Sequence, residues 1–88
     1  MEKKIAVIVR ERQSEAIRMS VGLTVLDDKV EVFLMEPLKN DPATLSELDG
    51  AVEFGMKFYC LYPDSRFEDI GIEELAERIL HYDHVIPY

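Results

Sequence analysis

The stretch that decides the fold of this 88-residue chain is Ile5-Ala6-Val7-Ile8-Val9. It is apolar without interruption, and four of its five residues are β-branched. A run of this kind, without alternation of polar and apolar residues, is typical of a strand covered on both faces, as in a parallel sheet. Because parallel strands are joined by long crossover connections, we expect helices between successive strands.

Three later segments also have the character of strands. Val30–Met35 and Met56–Leu61 are rich in β-branched or aromatic residues, which strands favour. His84–Ile86 is predicted to be a short fourth strand. Pro87 restricts that strand to an edge of the sheet or to a strand end, because proline cannot donate a hydrogen bond to a central ladder.

Helical patterns separate these strands. Apolar residues recur at mixed spacings of three and four from Gln13 to Leu26, which predicts the first helix. Asp41 followed by Pro42 predicts the start of the second, because aspartate accepts a capping hydrogen bond and proline fits the first helical position. Gly55 is predicted to end that helix. Ile72–Leu80 carries apolar residues at every position of the helical template and is predicted to be the third helix.

The resulting order βαβαβαβ predicts a single domain over residues 1–88. Its fold class is α/β, with a four-stranded, mainly parallel sheet in a three-layer α/β/α arrangement. If the strand order is 2-1-3-4, right-handed crossovers place the first helix alone on one face. Part of that face would then be bare, so we expect a second copy of the chain to cover it and the protein to be a homo-oligomer.

Composition and charge narrow the classes of partner. Hydrophobic residues make up 48% and charged residues 32%, as in globular proteins. The net charge of −8 argues against nucleic acid and against an anionic membrane as partners. The single cysteine excludes a disulfide within the chain, and no apolar run is long enough for a signal peptide or a membrane span. We therefore expect a cytoplasmic protein.

Ligands of open parallel sheets bind at the carboxyl ends of the strands, where the strand order reverses. Four side chains follow or end predicted strands and are therefore expected at that edge: Arg10, Arg12, Cys60 and Tyr62. The positions of these residues indicate that the arginines and the cysteine share one edge, although about fifty residues separate them in sequence.

Arg10 and Arg12 suggest an anion-binding pocket. Ser14 and the amino end of the first helix would contribute further hydrogen-bond donors. The alternative is a solvated loop in which Glu11 and Glu15 offset the two arginines.

Cys60 is the one residue whose chemistry would matter alone. A thiolate at a strand end accepts sulfur or forms a mixed disulfide when nearby positive charge lowers its pKa, and Arg10 and Arg12 would supply that charge. The alternative is a buried core residue, because free cysteine is among the residue types most often found in protein interiors.

No cofactor or metal is predicted. His81 and His84 are three residues apart, but the pair spans a helix end and no third ligand is fixed by spacing. The four glycines are too scattered for a dinucleotide fingerprint or a phosphate-binding loop.

Two segments carry a resemblance to a known family. The stretch Ser14–Leu34 resembles the first helix and second strand of the DsrE/DsrF-like family, and Ile72–Ala76 through His81–Ile86 resembles its last helix and strand. These are small sulfur-relay proteins related to TusD-type sulfurtransferase subunits. The resemblance implies homo- or hetero-oligomers, with Cys60 at the position of a cysteine that carries persulfide sulfur between donor and acceptor proteins.

Three functions follow as hypotheses. The first is sulfur relay through Cys60 in a DsrE-like domain, with Arg10 and Arg12 favouring the thiolate. The second is a noncatalytic oligomeric binding or scaffold module of the same fold, with Cys60 buried. The third is a binder of a small anion or nucleotide at the arginines.

Overall fold

The computed structural model describes residues 3–25, 29–62 and 67–88. Within them the chain forms five strands, three α-helices and one 3-10 helix. In chain order these elements are β1 (Lys4–Val9), α1 (Gln13–Val25), β2 (Lys29–Leu34), α2 (Pro42–Glu53), β3 (Lys57–Cys60), β4 (Glu68–Asp69), α3 (Ile72–Arg78), the 3-10 helix (Ile79–His81) and β5 (His84–Pro87). Leu26, the predicted end of the first helix, lies outside the described residues.

The five strands form one parallel sheet in the order β4-β3-β2-β1-β5. The α/β class and the parallel sheet are therefore as predicted, but the order 2-1-3-4 is wrong. The first four strands add in one direction, and the chain then returns across the sheet to place β5 on the other side of β1. The order 3-2-1 follows the tendency of consecutive strands to lie beside one another.

β1 is covered on both faces, as its uninterrupted apolar run predicts. Ile5, Val7 and Val9 belong to one buried cluster, whereas Ala6 belongs to a second cluster on the opposite face. This alternation follows from the strand geometry, in which successive side chains point to opposite sides. β1 pairs with β2 on one side and with β5 on the other.

The helices divide unequally between the two faces. Ala16 and Ile17 of α1 share the larger buried cluster with Leu48 and Ala51 of α2, so these two helices cover one face. Leu75 of α3 packs in the smaller cluster on the other face. The expectation that the first helix lies alone is therefore wrong, since the lone helix is α3. After β4 the next strand is added on the opposite side of β1. The right-handed crossover that contains α3 therefore lies on the opposite face of the sheet.

The ends of α2 are as predicted. Asp41 Oδ1 accepts a hydrogen bond from the backbone N–H of Thr44 at 2.8 Å, and Pro42 is the first helical residue. Gly55 follows the helix with a φ of 77°, a left-handed conformation that favours glycine.

β4 is an additional strand beyond the four predicted. It is only two residues long, and both are exposed and acidic, so no hydrophobic pattern marks it. The backbone N–H of Ile70 donates to the carbonyl of Cys60 at 2.9 Å and extends its pairing with β3.

β5 forms the opposite edge of the sheet, where Pro87 was expected. The backbone N–H of Tyr88 donates to the carbonyl of Ile8 at 2.7 Å. Because alternate residues of a parallel strand bond to a given neighbour, the nitrogen of Pro87 faces away from β1 and no ladder hydrogen bond is lost.

No helix within the described residues is long and apolar enough to span a bilayer.

Gln13 fixes the start of α1 to the loop that follows β2. Its side chain is buried, its Nε2 donates to the carbonyl of Pro37 at 3.0 Å, and its Oε1 accepts from the backbone N–H of Lys39 at 2.7 Å. Both halves of the amide are therefore used. This contact holds together the loops that extend from the carboxyl ends of β1 and β2.

We expect Gln13→Ala to lower the free energy of unfolding by about 1–3 kcal/mol, because it removes both hydrogen bonds of the Gln13 amide to the loop after β2. Urea denaturation measures the difference. Ser14→Ala in the same helical turn is the control and should stay within about 0.5 kcal/mol of the native chain. Equal stability of the two variants would show that the Gln13 contact does not hold the loops.

Candidate functional site

The strand order reverses between β1 and β5, and a cleft lies at the carboxyl ends of these two strands. Its volume is about 640 Å³. We call it the switch-point cleft, and it is lined by Ile8, Arg10, Arg12, Pro87 and Tyr88. Its position agrees with the general rule that open parallel sheets bind ligands outside the carboxyl ends of their strands, at the point of reversal.

The backbone on both sides of the cleft is held by hydrogen bonds. The Tyr88 N–H bond to Ile8 fixes the end of β5 against β1. On the other side, the carbonyl of Arg12 accepts the N–H of Ala16 at 2.9 Å in the first turn of α1. The two arginine side chains are exposed and extend from this anchored backbone.

The arginines of the cleft differ from other arginines of the chain in their pairing. Arg18 pairs with Glu47 at 3.1 Å, and Arg78 pairs with Glu74 at 3.2 Å. Across residues 3–25, 29–62 and 67–88, neither Arg10 nor Arg12 forms an ion pair with a carboxylate. The alternative of a solvated loop, in which Glu11 and Glu15 offset the two arginines without direct ion pairs, stays a prediction.

Cys60 lies elsewhere. Its side chain is 0% exposed and belongs to the large buried cluster between the sheet and helices α1 and α2. β2 separates its strand from β1, so the two strand axes are roughly 10 Å apart. Arg10, Arg12 and Cys60 all lie at the carboxyl edge, but the switch-point cleft is lined by the two arginines and not by Cys60.

Ser14 and Tyr62, the other two predicted binding residues, do not line the switch-point cleft. Ser14 lies in a neighbouring depression that shares Arg12 with the cleft. The hydroxyl oxygen of Tyr62 accepts the backbone N–H of Leu38 at 3.0 Å and so supports the loop after β2.

Three residues of the cleft were not singled out from the sequence: Ile8, Pro87 and Tyr88. Which residues border the carboxyl end of β5 depends on the strand order, which the sequence pattern does not determine. Only the pairing of β5 with β1 brings Tyr88 next to the arginines.

A second group of titratable side chains lies on the α3 face of the sheet. Glu31 is only 8% exposed, and its carboxylate accepts hydrogen bonds from Tyr59 Oη at 2.9 Å and from Tyr82 Oη. The ring of Phe33 stacks on Tyr59 and meets Tyr82 edge to face. The guanidinium of Arg78 lies 4.4 Å from the centre of the Tyr59 ring. We call Glu31, Tyr59 and Tyr82 the tyrosine–glutamate cluster.

The environment of the cluster favours an ionised Glu31. Burial by itself raises the pKa of this carboxyl, but hydrogen bonds from Tyr82 and Tyr59 and the charges of Lys29 and Lys4 outweigh burial, and the net pKa lies below the ordinary 4.5. Burial and the carboxylate raise the pKa of Tyr82 above its ordinary value. Each side-chain oxygen of the cluster has a hydrogen-bond partner within it.

In the described segments, no three histidine, cysteine, aspartate or glutamate side chains are grouped as a metal site would require. His81 ends the 3-10 helix and His84 begins β5, and both are exposed.

Comparisons with protein-family models, with curated proteins and with solved structures found no match to this chain.

We expect Glu31→Gln to change how stability depends on pH. The folded-state pKa of Glu31 is lowered, so its contribution to stability is present above about pH 4.5 and is lost as the pH falls below that value. The native chain should therefore lose more stability between neutral and acidic pH than Glu31→Gln does. At pH 7 the variant should be less stable by about 1–3 kcal/mol.

Denaturant titrations at a series of pH values measure both effects. Glu77→Gln removes an exposed carboxylate from α3 and is the matched control, with a pH profile parallel to that of the native chain. Parallel profiles for the native chain and Glu31→Gln would contradict the assignment.

Proposed function

We propose that this chain is a noncatalytic binding module whose ligand is a small anion held in the switch-point cleft by Arg10 and Arg12. Cys60 is then a core residue. The observation that carries the proposal is a cleft at the reversal of strand order whose two arginines pair with no carboxylate of the described residues.

The local charge of the cleft, and not the charge of the whole chain, supports an anion as the ligand. The chain as a whole carries a net charge of −8 and repels anions at long range. Affinity for an anion must therefore come from local contacts. A guanidinium binds a carboxylate or a phosphate through two parallel hydrogen bonds, which are short and charge-assisted.

The size of the cleft supports a small molecule. Its volume of about 640 Å³ lies within the range of about 300–1,000 Å³ that is usual for ligand pockets. A mixture of apolar wall and a few polar groups, as formed by Ile8, Pro87 and the two arginines, is also usual for such sites.

Sulfur relay through Cys60 and membership of the DsrE/DsrF-like family stay predictions. A relay cysteine has to present its thiolate to a donor protein. With the Cys60 side chain buried and the arginines two strands away, sulfur relay would need an opening of the packing between the sheet and α2.

The homo-oligomer also stays a prediction. It is now supported by the α3 face, which one short helix covers. Val85 of β5 lies on that face in register with Ala6 and is 42% exposed. Leu80, which follows α3, is 81% exposed.

We expect inorganic phosphate or sulfate to raise the melting temperature of the native chain. At an anion concentration of about ten times Kd, the stabilisation is about 1.4 kcal/mol, or roughly 5–10 °C for a domain of this size. The double variant Arg10→Gln/Arg12→Gln should lose the rise. Differential scanning fluorimetry at constant ionic strength measures it.

The matched control is Arg18→Gln, which removes an arginine on the surface of α1 away from the cleft. It should respond to the anions like the native chain. An equal response of the double variant and the native chain would contradict the assignment of the cleft.

We expect Cys60 to react with a charged thiol reagent about 100-fold or more slowly in native buffer than in denaturant, because labelling requires the core to open. Ser46→Cys places a second thiol at an exposed position of α2 and is the internal control. In that variant one thiol should react at once and the other slowly. Immediate reaction of Cys60 in the native chain would favour sulfur relay over the binding module.

A further inference from the structure

We infer that the anion of the switch-point cleft is a phosphate monoester that carries a planar aromatic group, with a nucleoside monophosphate as its simplest example. The inference rests on the proposed function and specifies its ligand. Two arginines bind the phosphate, and the apolar wall with the ring of Tyr88 contacts the aromatic group.

The charge of the cleft matches that of a phosphate monoester. Arg10 and Arg12 bring two positive charges into one cleft, and the described carboxylates pair with neither. A phosphate monoester carries about −1.5 to −2 charges at pH 7 and offers three acceptor oxygens. A monocarboxylate carries a single charge and would neutralise only one of the arginines.

The remaining wall of the cleft is apolar. Ile8 and its partner Pro87 lie toward the α3 face and Tyr88 toward the α1 and α2 face, so all three border the cleft at the paired ends of β1 and β5. A bare phosphate would leave this surface in water. A ligand with a planar aromatic group covers it, and burial of apolar surface adds to affinity.

The ring of Tyr88 is held in place before any ligand binds. It is half-buried and packs against the large cluster on the α1 and α2 side of the sheet. Its backbone N–H is bonded to Ile8. A ring fixed in this way stacks on a planar ligand at little cost in conformational entropy, and tyrosine rings and guanidinium planes are both common stacking partners of nucleobases.

Isothermal titration calorimetry of the full chain with adenosine monophosphate, inorganic phosphate and adenosine separates the contributions. We expect adenosine monophosphate to bind about tenfold or more tightly than inorganic phosphate, since stacking of a base on an aromatic ring supplies the difference. Adenosine should bind at least about tenfold more weakly than its monophosphate, because it lacks the charge that the arginines recognise.

Variants assign the two parts of the site. Arg10→Gln/Arg12→Gln should reduce affinity for adenosine monophosphate and for phosphate alike, and Arg18→Gln should change neither. Tyr88→Leu should remove the advantage of adenosine monophosphate over phosphate and leave phosphate binding intact. Tyr88→Phe, which keeps the ring, should restore the advantage. Circular dichroism checks that each variant is folded.

The outcomes distinguish this inference from the proposed function. If phosphate and adenosine monophosphate bind equally well and both need the arginines, the ligand class is wrong and the anion site stands. If adenosine binds as well as its monophosphate, or if neither anion binds, both are overturned. An advantage of adenosine monophosphate that survives Tyr88→Leu would overturn the stacking contact.

Discussion

The burial of β1 on both faces is the constraint on which the rest of the structure depends. A strand with no solvated side needs a neighbour at each edge and helices above and below it. β2 and β5 are the neighbouring strands of β1. Helices α1 and α2 cover one face of the sheet, and α3 covers the other. The reversal of strand order lies beside β1 for the same reason, because β5 has to return across the sheet to complete its pairing.

Much of this architecture could be predicted from local patterns. The strand Ile5–Val9, the cap formed by Asp41 and the end of α2 at Gly55 each follow from the conformational preferences of a few consecutive residues. The strand order could not, because several parallel orders satisfy the same alternation of strands and helices. β4 could not be predicted either, because Glu68 and Asp69 carry no apolar pattern.

The candidate site also combines residues that local sequence patterns predict with residues whose role depends on tertiary structure. Arg10 and Arg12 were placed at the carboxyl edge by their position directly after an apolar strand, which is a local inference. Tyr88 and the fate of Cys60 depended on tertiary structure. A cysteine at the end of a strand is exposed or buried according to which helix packs over it, and α1 and α2 share the face on which Cys60 lies. Gln13 likewise has no sequence pattern that reveals its role, since its partners are backbone groups of a distant loop.

The two edge strands of the sheet affect how copies of this protein can associate with one another. An open strand edge is a template on which further strands, including those of misfolded chains, can add and grow into fibres. Here the edge strand β4 consists of only two residues, both acidic. In the other edge strand, β5, the nitrogen of Pro87 faces solvent and has no hydrogen to donate. Both devices oppose growth in the plane of the sheet. The faces of the sheet are therefore the surfaces through which the proposed homo-oligomer would form.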